Sequence, residues 1–65
     1  MMDVSYFIDQ AKNSSQHEFN EDWADVIVSI TDEYTILITE DGRTMNVDWT
    51  SEGEFEDYSL HNPHI

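Results

Sequence analysis

Fifteen carboxylates and three imidazoles are the groups in this 65-residue chain best suited to chemistry. There is no cysteine, and only Lys12 and Arg43 carry fixed positive charge. Paired carboxylates act as general acid and base when a dry cleft pushes their pKa values apart. With so many acids, some pair falls at any chosen spacing, and so short a chain has little material for such a cleft. His61 and His64 form an H-x-x-H pair, a spacing that can hold a metal on a helix. Pro63 lies between them and breaks helices. No Cys joins them, and His17 is distant in sequence. Asp41-Gly42 begins like a calcium loop but lacks the alternating oxygen ligands and terminal Glu that such a loop needs. No phosphate-cradling glycine motif or nucleophile elbow occurs, and no order of Ser, His and Asp marks a triad. The sequence therefore predicts no catalytic residue, no metal site and no cofactor.

The carboxylates carry more information together. The formal charge is -13, which repels nucleic-acid phosphates and anionic membranes and favours basic protein surfaces. A net charge of about 2 to 8 is enough to keep a small domain in solution. The excess opposes compaction through self-repulsion, and a basic partner would offset it. The candidate contacts are grouped along the chain. Glu18, Glu21 and Asp22 precede the first strand, Asp32 and Glu33 lie in the first turn, and Glu40 and Asp41 lie in the second. Glu52, Glu54, Glu56 and Asp57 belong to the tail. The two turns fall at opposite ends of the middle strand, ~20 Å apart at ~3.3 Å per residue.

In composition, size and lack of Cys, the chain resembles the small acidic DNA-mimic inhibitors encoded by bacteriophages and mobile elements. These form a functional class with many unrelated folds. The resemblance implies a non-enzymatic inhibitor that occupies the phosphate-binding groove of a host nucleic-acid-binding protein, in the host cytoplasm. The alternative is an acidic adaptor or subunit that docks on a basic surface without imitating DNA.

Elements must position these groups. Sixty-five residues allow one domain, residues 1–65, with one small core. The absence of Cys fits a reducing compartment. No leader-like segment opens the chain, and no apolar run approaches the ~20 residues that span a bilayer. Eight aromatic residues and periodic Val, Ile and Leu argue against disorder. From Met2 to Lys12, Val4, Phe7, Ile8 and Ala11 share one helical face, and Asp3 can cap the start. Gln16 to Asp22 reads as a loop. Three strands follow by period-two alternation, with Ala24, Val26, Val28 and Ile30, then Tyr34, Ile36 and Ile38, then Met45, Val47 and Trp49 facing inward. Asp41-Gly42 suits a two-residue type I′ turn, which pairs Ile36 with Val47. A three-residue loop, Thr31-Asp32-Glu33, pairs Val28 with Ile36.

The predicted fold is α+β: an N-terminal helix packed on a three-stranded antiparallel meander. Phe55 to Leu60 forms a short fourth strand or a helical turn, and residues 61–65 form a flexible end. On this reading Ile27 and Leu37 are neighbours on the face away from the helix. They make a small apolar contact surface for the tail, a partner or a second copy of the chain.

Overall fold

The structure, a computed structural model, describes residues 4–61. The readings of Asp3, Pro63, His64 and the flexible end beyond His61 lie outside the described residues. Two helices, α1 (Val4–Lys12) and α2 (Gln16–Asp22), precede four strands: β1 (Ile27–Ile30), β2 (Tyr34–Ile38), β3 (Thr44–Trp49) and β4 (Phe55–His61). The strands form one antiparallel sheet in the order β1-β2-β3-β4. The helices supply Phe7, Ala11 and Phe19 to a core completed by Leu37, Met45, Val47 and Trp49 from the sheet.

Helix α1 follows its apolar stripe. Phe7 and Ala11 are buried, and Val4 and Ile8 pack beside them. Asn13 closes its C-terminal end, where its side-chain amide donates to the Asp9 carbonyl at 2.8 Å. The segment read as a loop is helix α2. Its signal is the spacing Ser15-x-x-Glu18, a capping box. The Ser15 hydroxyl accepts from the Glu18 N–H at 3.2 Å, and the Glu18 carboxylate accepts from the Ser15 N–H at 3.2 Å. Two further bonds seat this helix on the sheet. The Gln16 N–H donates to the Gly53 carbonyl at 2.7 Å, and its side-chain amide donates to the Thr31 carbonyl at 2.8 Å.

The register of β2 against β3 differs by one residue from the type I′ expectation. Leu37 pairs with Met45 and Thr35 with Val47. The connection is a three-residue loop, Glu40-Asp41-Gly42. Thr39 N–H donates to the Arg43 carbonyl at 2.8 Å, and Gly42 N–H donates to the Thr39 carbonyl at 2.9 Å. Gly42 has φ +87°, and Asp41 does not share a positive φ, so the turn is not type I′. Thr39 favours the longer loop because its hydroxyl also accepts from the Arg43 N–H at 3.1 Å. A one-residue slip turns a whole strand over. Thr35, Leu37 and Thr39 are therefore buried, while Tyr34, Ile36 and Ile38 lie on the face without helices. The reading that Tyr34, Ile36 and Ile38 face the core is corrected accordingly.

The third hairpin repeats this turn eleven residues later. Thr50 N–H donates to the Glu54 carbonyl at 2.8 Å, and Gly53 N–H, at φ +81°, donates to the Thr50 carbonyl at 2.9 Å. The Thr50 hydroxyl accepts from the Glu54 N–H at 3.1 Å. The pattern Thr-x-acid-Gly-x thus builds both loops, at Thr39–Arg43 and Thr50–Glu54.

The first hairpin closes more tightly than expected. The Thr31 N–H donates to the Tyr34 carbonyl at 2.8 Å, leaving Asp32-Glu33 as a two-residue loop. A two-residue loop without irregularity would set Val28 opposite Leu37; a bulge between Ile27 and Ser29 puts Ile27 there instead. Ile27 pairs with Leu37 and turns toward the core, whereas Val28 is 62% exposed. A second bulge, at Glu56, lets Phe55 pair with Trp49 and Tyr58 with Val47 on the same face. The tail therefore adds an edge strand to the sheet, and among the described residues no element packs over the open face. Of the three strands read from alternation, β3 alone keeps its predicted inner face.

Candidate partner-binding surface

The described residues hold fourteen of the fifteen acids, and thirteen of those fourteen are exposed; Asp48 is half-buried. The meander gathers them by position. Asp32 and Glu33 of the first turn share a cleft with Glu52 and Glu56, at an end of the sheet where Trp49 N–H donates to the Glu33 carbonyl at 2.8 Å; Glu54 lies on another side, beside Lys12 and Asn13. Glu40 and Asp41 occupy the opposite end of the sheet. Glu18, Glu21 and Asp22 project from α2. Asp57 pairs directly with Asp48 across β3 and β4 on the open face, an unfavourable juxtaposition of like charges. The Asn46 side-chain amide eases it by donating to Asp48 at 2.8 Å. The acids predicted for partner contact thus fall at both ends of the sheet, on α2 and on the open face, over a body 35 × 21 × 19 Å.

Few of these charges are neutralised internally. Arg43 holds Asp41 at 2.8 Å, and His17 approaches Glu21 at 3.5 Å. The carboxyl of Asp41 lies below its ordinary value of 3.8, chiefly because the Thr39 hydroxyl donates to it. Partial desolvation opposes that effect, while the Arg43 backbone N–H and guanidinium reinforce it. Because folding lowers this pKa, its contribution to the turn is present at neutral pH and fades as pH falls through the folded value.

At the first-turn end, Asp32, Glu33, Glu52 and Glu56 rim a cleft of about 730 Å³ with Gln16, His17 and Trp49 in its walls. Its chemistry suits a cationic side chain. Among the described residues, no group of three or more His, Asp or Glu is placed to hold a metal.

The apolar surface is not where alternation put it. Leu37 is fully buried and does not reach the surface, whereas Ile27 is half-buried, packing against the core and also lining the groove at the second-turn end. The open face instead carries Tyr34, Ile36 and Ile38 along β2, beside Thr44, Asn46 and Asp48 of β3. At the second-turn end this stripe meets a groove of about 400 Å³, lined by Phe7, Trp23, Val26, Val28 and Ile38 with Asp25 and Glu40 also at its edge. Trp23 stacks edge-on against Phe7 and Tyr6, with ring centroids 4.8 and 5.7 Å away.

A buried relay fixes the inner face. Trp49 Nε1 donates to the Thr35 hydroxyl at 3.0 Å, and that hydroxyl donates to the Asn20 side-chain carbonyl at 2.7 Å. Sequence reasoning missed the relay because its members are distant in sequence. No protein-family model, curated protein or solved structure matches this chain. No described helix is long and apolar enough to cross a membrane.

Proposed function

We propose that this protein is a DNA-mimic inhibitor, encoded by a bacteriophage or mobile element, that occupies the basic phosphate-binding groove of a host nucleic-acid-binding protein. It acts by binding in the host cytoplasm, without catalysis. The observation that carries this reading is the display of carboxylates. Thirteen exposed acids are distributed over a body 35 Å long. That is roughly one charge per 3 Å, against ~1.7 Å per phosphate charge along duplex DNA counted over both strands. Density of this order, with little internal neutralisation, supports occupation of a site shaped for a polyanion. The acids at the two ends of the sheet are held on hydrogen-bonded turns, which limits the ordering that binding demands.

The second reading, an adaptor docking on a basic protein without imitating DNA, draws support from Tyr34, Ile36 and Ile38. A phosphate mimic does not require an apolar stripe on its open face.

Competition separates the two. Immobilised protein is incubated with a bacterial lysate, with and without excess duplex DNA. A mimic releases its captured nucleic-acid-binding protein when DNA is added, whereas an adaptor retains it. Charge reversal of Asp32 and Glu33 to Lys, or of Glu54 and Glu56 to Lys, weakens capture while leaving the free domain folded. Raising salt shortens the Debye length from about 8 Å at 0.15 M to about 3 Å at 1 M. The melting temperature of the free domain then rises as its partner affinity falls. Capture unchanged by DNA, salt and charge reversal would falsify the electrostatic reading.

A further inference from the structure

We propose that the groove between β1 and the end of α2 is a docking site for a basic partner segment carrying an apolar anchor. Such a segment combines Leu, Ile or an aromatic residue with adjacent Lys or Arg. This deepens the proposed function: it rests on the partner being a basic protein, and adds a contact that charge alone does not supply.

Three observations lead to this occupant. The groove is apolar: Phe7, Trp23, Val26, Val28 and Ile38 line it. Its volume of about 400 Å³ falls near the lower end of the ~300–1,000 Å³ range of binding pockets, suited to an anchor of a few side chains. Val28 is 62% exposed and Ile38 38% exposed, so both present apolar area to solvent. These two residues come together because the bulge in β1 leaves Val28 exposed and the one-residue register of β2 places Ile38 outside the core. The local burial pattern is thus a consequence of the fold.

Charge then selects the occupant. Asp25 and Glu40 stand at the groove, and Asp41 follows in the same turn. A second copy of this chain would bring another -13 charge and the same acidic rim to the contact. Such juxtaposed like charges oppose association. A Lys- or Arg-bearing segment gains from the rim while its apolar residue fills the groove. Anchors of this kind dominate the energy of interfaces, with charged contacts around them adding rate and specificity.

The test uses two short synthetic peptides with the same Lys content, one containing two Leu residues and the other Gln in their place. Each is titrated into the full chain at about 0.15 M salt, with amide NMR shifts and Trp fluorescence as readouts. The Leu peptide is expected to bind at least about tenfold more tightly and to shift the amides of Val26 to Val28 and Ile38 to Glu40. Val28→Asp gives opposite signs for the two explanations. It adds a negative charge, so purely electrostatic binding tightens; an occupied groove loses its anchor contact, and the Leu peptide weakens severalfold. Ile38→Thr provides a second, uncharged variant, and the far-ultraviolet circular dichroism of both variants is measured to establish folding. Equal affinity of the two peptides, or tighter Leu-peptide binding by folded Val28→Asp, would overturn the proposal. A concentration-dependent dimer in sedimentation, abolished by Val28→Asp, would overturn it in favour of a second copy. Duplex DNA plays no part in this titration, so failure of DNA competition leaves its outcome unaffected.

Discussion

The two faces of β2 invert the usual expectation. The face carrying Tyr34, Ile36 and Ile38 is the more apolar, yet it faces outward. The face carrying Thr35 and Leu37, continued by Thr39 just beyond the strand, is two-thirds hydroxyl-bearing, yet all three residues are buried. The difference lies in what each face meets. Thr35 accepts from Trp49 and donates to Asn20, so its hydroxyl enters the core satisfied. Thr39 uses its hydroxyl to close the turn. A polar residue with good partners can therefore occupy a core that a neighbouring isoleucine does not. Burial of this strand follows the register and the surrounding hydrogen bonds more than its own hydrophobicity.

The largest test of this contrast compares adjacent residues. Leu37→Ala removes a fully buried side chain and should cost ~2–5 kcal/mol through lost transfer energy and cavity formation. Ile36→Ala, on the open face, should cost about 1 kcal/mol or less. Denaturant unfolding of both variants gives the comparison. An inverted order would restore the other register.

Thr35→Val probes the relay with little change in shape. It leaves Trp49 Nε1 without its buried acceptor, at ~1–3 kcal/mol. A shift in the Trp49 indole N–H resonance should accompany the loss. Unchanged stability would mean that hydrogen bonding at Thr35 does not hold the inner face in place.

A smaller effect is expected at the turn that fixes the register. Gly42 has φ +87°, so L-alanine there should cost ~1–2 kcal/mol, while D-alanine is tolerated. Thermal melts of the two synthetic variants decide the matter. Indistinguishable variants would remove Gly42 as the source of the three-residue loop.

Several features were legible from local pattern. The stripe Val4, Phe7, Ile8 and Ala11 specifies one helix, and alternation specifies β2 and β3 as strands. The inner set Met45, Val47 and Trp49 is also correct. Two local signals, the capping box at Ser15–Glu18 and the repeated Thr-x-acid-Gly-x turn, identify elements that simple alternation misses. Asp41-Gly42 alone is compatible with two loop lengths, because glycine permits positive φ in either. The distinction rests on Thr39, whose hydroxyl completes the longer loop.

By itself, then, the sequence determined the acidic character, the helix-and-meander class and the positions of the main turns. These depend on composition and on contacts between residues close in the chain. Tertiary structure decided which face of β2 is core, where the acids gather and which apolar residues remain exposed. Those outcomes depend on the loop at Thr39, the bulges in both edge strands, and the relay from Trp49 through Thr35 to Asn20. A one-residue change in pairing reverses a face without altering the pattern along the strand, so alternation alone cannot choose between the two arrangements.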